Sequence, residues 1–274
     1  GVNKGGLNVA NIEVYRQYAR KLQNLLQPQS YPVAIKLLTE EKEIPPNALR
    51  PKKDQGVHFS LCQAFAKARF RGETVAMLTE DHWCWAPLVG FGLVEFHDRH
   101  ESFPIIVKYL GIADEEAAKS FLRQFPRLEY GKYLGLVVAP FIKAEFIPDL
   151  VLLYVNHAQL RDILMAVKFK TGKLIFSQFD AIDSCLYATI PVIKTGEYRI
   201  TFPDPGEVER ALAKADEVIF SVPAKRLEEL LAGLSVFGGG KMRFAEPAAE
   251  IEPDHPRPEF YRQLFRAWHL DVEA

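Results

Sequence analysis

The feature that most constrains this chain is an internal match. The stretch Arg69-Phe70-Arg71-Gly72 faces Lys168-Phe169-Lys170-Thr171-Gly172: basic, aromatic, basic, then glycine, with one insertion. The separation drifts slowly, from 99 residues at Leu61/Leu160 to 100 at Gly72/Gly172 and 101 at Cys84/Cys185. Duplication followed by single-residue insertions leaves this kind of drift. The match predicts two strand-helix-strand halves. It also puts Cys84 and Cys185 at equivalent points, each in a loop just after a strand.

Local signals fill in the halves. Ile12, Tyr15, Ala19, Leu22 and Leu26 recur at helical spacing behind Asn11, a predicted N-cap. Pro32 to Leu38 is a short apolar run of strand type, and the charged, proline-bearing residues 39–59 read as a loop. Ser60 and Gln63 form a capping box for a helix that stops at Gly72. A strand (Thr74 to Thr79), the loop Glu80 to Pro87, a helix (Ala113 to Phe125) and a strand (Leu134 to Ala139) complete the first half. The second half reads as a strand (Leu150 to Val155), then a helix opened by Asn156 and Gln159 and ending near Gly172. A strand (Leu174 to Phe179), the Cys185 loop, a helix (Gly206 to Lys214) and a strand (Val218 to Val222) follow. Alternating strands and helices imply an α/β (α+β) domain with a mixed sheet. The predicted division is an N-terminal helix (1–30), a first half (31–147), a second half (148–235) and a C-terminal linker with a short helix (236–274). All four belong to one integrated domain.

Charge and cysteine content narrow the function. With 34 basic and 35 acidic residues the net charge is −1, so no global field draws the protein to nucleic acid or to an anionic membrane. No apolar run approaches the roughly 18 residues a membrane span needs, and Gly1 to Leu7 lacks the apolar core of a signal peptide. Three cysteines are too few and too odd for a disulfide scaffold, which points to reduced thiols and a cytoplasmic protein.

Those thiols are the candidate site. With Ser60 as N-cap, Cys62 falls at the second helical position, where free amides favour a thiolate. Cys84 lies between Trp83 and Trp85, whose indoles would shield a thiolate–metal centre, and Cys185 follows Asp183-Ser184. Each alone reads as a small buried hydrophobe. If the halves meet about a twofold, all three can converge. The pattern then suits a 4Fe-4S cluster with one iron left open, or a zinc site completed by His82 or His58. Such a centre implies a redox partner protein or a small-molecule ligand. No CxxC motif is present. Two rival readings stand beside it. One is a small-ligand binding or regulatory module in which the cysteines only pack. The other is a cysteine-nucleophile hydrolase or transferase using His58, His82 and Asp81 as base and orienting acid. Gly90-Phe91-Gly92 and Gly238-Gly239-Gly240-Lys241 fall short of the nucleotide-binding fingerprints and read as turns. Lys67, Arg69 and Arg71, with Lys168, Lys170 and Lys173, read as a solvated face, or as a cup for an anion if the halves face each other.

Ser60-Leu61-Cys62-Gln63 followed by Arg69 and Gly72, the loop Trp83-Cys84-Trp85, and the Cys185 stretch running into Pro203-Asp204-Pro205-Gly206 together resemble the ArCR family, a bacterial and archaeal domain of unknown function. The resemblance spans roughly residues 12 to 235. It implies no activity, but such proteins are often met in anaerobes and archaea. That setting favours oxygen-sensitive iron–sulfur chemistry over a cysteine hydrolase.

Overall fold

Six segments pair into one sheet: β1 (Val33–Leu38), β2 (Val75–Leu78), β3 (Gly135–Pro140), β4 (Leu150–Val155), β5 (Arg199–Thr201) and β6 (Val218–Pro223). They belong to a computed structural model that describes residues 4–97 and 102–238, with 259 and 263 the only further positions. β2, β3, β4 and β6 are buried along their whole length. Strands apolar on both sides need cover on both faces, because a sheet with one wet face would alternate apolar and polar residues.

Helices provide that cover. On one face α1 (Lys4–Leu26), α7 (His157–Thr171) and α11 (Leu227–Phe237) bring Leu22, Leu26, Ile163, Ala166, Leu230 and Leu234 against Ala34, Val137, Val151, Leu153 and Phe220. On the other, α3 (Leu61–Ala66), α4 (Trp85–Gly90), α8 (Ser184–Tyr187) and α9 (Ile190–Thr195) bring Leu61, Phe65, Ala86, Leu186 and Ile190 against Val33, Ile35, Met77, Leu136, Val138 and Leu152. The period of two along each strand decides which neighbour joins which layer. α2 (Pro51–Gln55), α5 (Ser102–Leu110), α6 (Glu115–Gln124) and α10 (Pro205–Ala211) complete the described helices. None of the described helices is long and apolar enough to cross a membrane.

The strand order is β2-β3-β1-β4-β6-β5, and all the pairs are antiparallel, from Val33↔Pro140 in the centre to Ile200↔Phe220 at the edge. The expected α/β (α+β) fold is present, and its mixed sheet is corrected to an antiparallel one. The reason lies in the crossovers. β1 and β2 do run the same way, as do β4 and β5, but β3 returns into the first gap and β6 into the second, each antiparallel to both neighbours. Gly135 fits this close weave, since a Cβ there would meet the Met77 carbonyl oxygen.

Read outward from the centre, the order is alike on both sides: β1-β3-β2 and β4-β6-β5. β3 and β6 each end in proline and a 3-10 turn. The amide after each proline donates to the chain just before the central strand, Phe141 N to Pro32 O and Ala224 N to Asp149 O. The alignment expected from the sequence does not match this order, and the duplication it implied is not shown. By position alone, Gly72, three residues before β2, resembles Gly196, three before β5, more than Gly172, which precedes no strand directly. Cys62 and Cys185 then share a place near the start of the helical stretch that leads into the outer strand. Cys84 has no counterpart. The predicted strand Leu174 to Phe179 is absent. Residues 172–183 carry no regular structure, with the Ser177 hydroxyl accepting from Ile200 N of β5 at 2.8 Å, and the three-residue β5 takes the edge instead. Cys185 lies within α8, not in a loop. Of the predicted C-terminal linker and short helix (236–274), only 236–238 and the single positions 259 and 263 are among the described residues.

Candidate thiol site

Cys62, Cys84 and Cys185 come from three separate segments whose helices α3, α4 and α8 lie on one face of the sheet, with Cys62 in electrostatic reach of each of the other two. Three local devices bring them there. Phe59 and His82 form an isolated parallel bridge, with Phe59 N donating to Asp81 O (3.0 Å) and Trp83 N to Phe59 O (2.8 Å). That bridge sets the start of α3 beside the Cys84 turn. Ser60 caps α3 by the predicted capping box, Gln63 N donating to its Oγ (3.3 Å) while Ser60 N donates to Gln63 Oε1 (3.0 Å). Asp204 ties α8 to α10: one carboxylate oxygen accepts from Glu207 N (2.8 Å) and the other from Ser184 N (3.0 Å). α10 packs on α3, and α4 on α8. Each thiol therefore sits at a helix start, with Cys62 and Cys185 at the second residue of α3 and α8, and Cys84 as the N-cap of α4.

Their electrostatics run against a free thiolate. Cys62 and Cys185 are buried and Cys84 is half-buried; all three are reduced. Burial pushes the Cys62 thiol up, the charges of Glu207 and Asp204 adding to it against a hydrogen-bond contact with Ser60 Oγ at 3.0 Å. Cys84 is pushed up to about 11, first by burial and next by Cys62. Cys185 is raised well above the usual thiol range by burial, with Cys62 again the next cause. Cys62 thus acts on both other thiols and lies within electrostatic reach of each. Burial outweighs whatever the short helices supply.

The wall behind them is acidic and buried. Glu207, 1% exposed, accepts from the Tyr154 hydroxyl at 2.5 Å, and its second oxygen has no hydrogen-bond partner. Burial, with Asp204 adding, pushes its carboxyl up to about 7. Asp183, in the left-handed region at φ 56°, is likewise raised to about 7 by burial and by Asp204 and Asp180. Beneath Tyr154 the Arg69 guanidinium stacks 3.5 Å from the ring centroid and pairs with Glu217 at 2.7 Å, both side chains buried. Arg69 therefore leaves the solvated face the sequence suggests. None of these residues announces itself in sequence. Only Asp204-Pro205-Gly206-Glu207 carries a signal, a cap with proline at the first helical position and an acid at the third.

The remaining candidates stand apart from the thiols. His82 is 6% exposed, and burial pulls its pKa down to about 4 against the opposing effects of Asp81 and the Met77 backbone. It makes no hydrogen bond to any thiol. Asp81 is fully buried, accepting from Arg50 Nε, Lys52 N and Leu78 N, so it has no role left as an orienting acid. Trp83 and Trp85 are 61% and 49% exposed and form a rim, with Arg210 5.1 Å over the Trp83 ring, where a closed shield was expected. Among the described residues no group of three His, Cys, Asp or Glu is placed to hold a single metal ion as the side chains stand.

Comparison with known proteins agrees on kinship and is silent on chemistry. Over 231 residues the chain is 24% identical to an uncharacterised protein of Methanocaldococcus jannaschii, an alignment covering 83% of this chain and 96% of the relative. No solved structure matches. A family model described as uncharacterised ArCR matches residues 21–233, which include every strand and all three cysteines, and the chain belongs to that family.

Proposed function

We propose that this chain is a cysteine-ligated iron–sulfur protein in which Cys62, Cys84 and Cys185 hold a 4Fe-4S cluster, leaving one iron for a non-protein ligand. The observation that carries the reading is that Cys62 lies in electrostatic reach of both Cys84 and Cys185, thiols that come from separate segments. A cluster supports it better than zinc. Thiolates spaced around a cluster need not close on one ion, whereas a tetrahedral zinc needs its ligands at about 2.3 Å from a single centre. A nucleophilic cysteine is supported less well: each thiol is pushed up, and His82 pairs with none of them. The test is anaerobic purification with iron and sulfide analysis. The expected result is about four of each per chain, falling in each single Cys→Ser variant. Metal-free protein after anaerobic reconstitution, with all three thiols reactive once unfolded, would overturn the proposal.

A further inference from the structure

α10 forms one wall of a groove whose other wall is α3 and the π-helical turn Lys67–Arg71 that continues it. The groove has a volume of about 200 Å³. Phe59, Phe70 and Leu212 supply apolar lining, and Lys67, Arg71 and Arg210 supply positive charge. From sequence, Lys67, Arg69 and Arg71 with Lys168, Lys170 and Lys173 read as a solvated face, or as an anion cup if the halves face each other. In the structure the partner of Lys67 and Arg71 across the groove is Arg210 of α10.

The positive charges are only partly matched by carboxylates. Lys67 pairs with Glu73 at 3.3 Å and lies 5.8 Å over the Phe59 ring. Arg210 reaches Glu209 only at 4.0 Å, where that carboxylate is 72% exposed. Arg71 has no ion pair among the described residues. Arg210 also lies 5.1 Å over the Trp83 ring and is within electrostatic reach of Cys62 and Cys84, so this one side chain faces both the groove and the thiols.

We infer that this groove takes a small organic anion, a phosphate or carboxylate on a compact apolar body, with its charge between Arg71 and Arg210 and its body against Phe59, Phe70 and Leu212. Guanidinium groups suit both anions because their fork matches two oxygens at once. The volume limits the body to roughly one ring. The inference goes beyond the iron–sulfur reading and needs no metal, so the two can fail separately.

The test titrates the full chain, in its metal-free form, with phenyl phosphate, benzoate and inorganic phosphate, followed by calorimetry and tryptophan fluorescence. Phenyl phosphate or benzoate is expected to bind, with inorganic phosphate weaker because it lacks the body; the tighter of the first two identifies the anion. The double variant Arg71→Ala, Arg210→Ala should weaken binding about tenfold or more, the scale of a lost charge-assisted hydrogen bond. The Arg71→Lys, Arg210→Lys variant should recover part of it, and serves as the decisive comparison if the alanine variant does not fold. Absence of binding by all three probes, or equal binding by wild type and both variants, overturns the inference.

Discussion

Glu207 has 1% of its surface exposed and one oxygen with no partner, so its charge is costly where it sits. With the folded carboxyl pushed up by burial from its ordinary 4.5 to about 7, the native chain keeps a proton there that the unfolded chain releases. The stability tied to that proton is complete below pH ~4.5 and is lost as pH rises to ~7, up to about 3 kcal/mol. His82 runs the other way. Its pKa is pulled down from 6.5 to about 4, so the folded chain resists protonation and gains stability as pH rises through that window. The two largely cancel in the wild type, and a difference measurement separates them. Glu207→Gln, compared with wild type in guanidinium unfolding of the metal-free protein, should gain relative stability between pH 5 and pH 8, by up to about 3 kcal/mol. An equal difference at both pH values would mean that Glu207 keeps its charge in the fold.

Short helices, more than the strands, make the site, and this is where sequence and structure part. β1, β3, β4 and β6 were legible to within a residue or so, because long runs of Val, Ile and Leu can only be strands buried on both faces. The caps at Ser60/Gln63 and Asn156/Gln159 were legible because the hydrogen bonds that make them are local. α4, α8 and α9 were not. At six, four and six residues they are too short for a periodicity to show, and packing decides them. Leu174 to Phe179 failed for the same reason, since its propensity for strand met no partner edge. Of the site, the thiols were legible as residues, whereas the pairing of Cys62 with Cys185 and the acidic wall depend on the tertiary fold. One close helix contact near the thiols is testable. A Cβ on Gly90 of α4 would sit 2.8 Å from Leu186 Cδ1 and 3.1 Å from Ile190 Cδ1, both fully buried. Gly90→Val should therefore wedge α4, which carries Cys84, from α8, which carries Cys185. Chemical unfolding should show a loss of about 1–3 kcal/mol, and iron retention should drop with it. Wild-type stability and iron content in this variant would show that the α4–α8 contact does not set the thiol spacing.

At the scale of the molecule, the thiols straddle the midline of the sheet. Cys62 and Cys84 flank β2, in the β1-β3-β2 side, while Cys185 lies between β4 and β5, in the other. The central β1–β4 pairing covers only Val33 to Ile35, against six residue pairs for β1–β3 and for β4–β6. A ligand held by all three thiols would therefore clamp the two sides across their shortest central junction. Binding to the native state alone stabilises it by mass action, about 2.7 kcal/mol when the ligand is at a hundred times its Kd. Anaerobic loading should move the urea midpoint upward by an amount of that order and leave the slope of the transition unchanged, because the surface exposed on unfolding is the same. Cys185→Ser should abolish the shift as fully as Cys62→Ser, since removing either end releases the clamp. A shift that survives Cys185→Ser would place the bound iron on the first side alone, and the two sides of the sheet would then be joined by packing only.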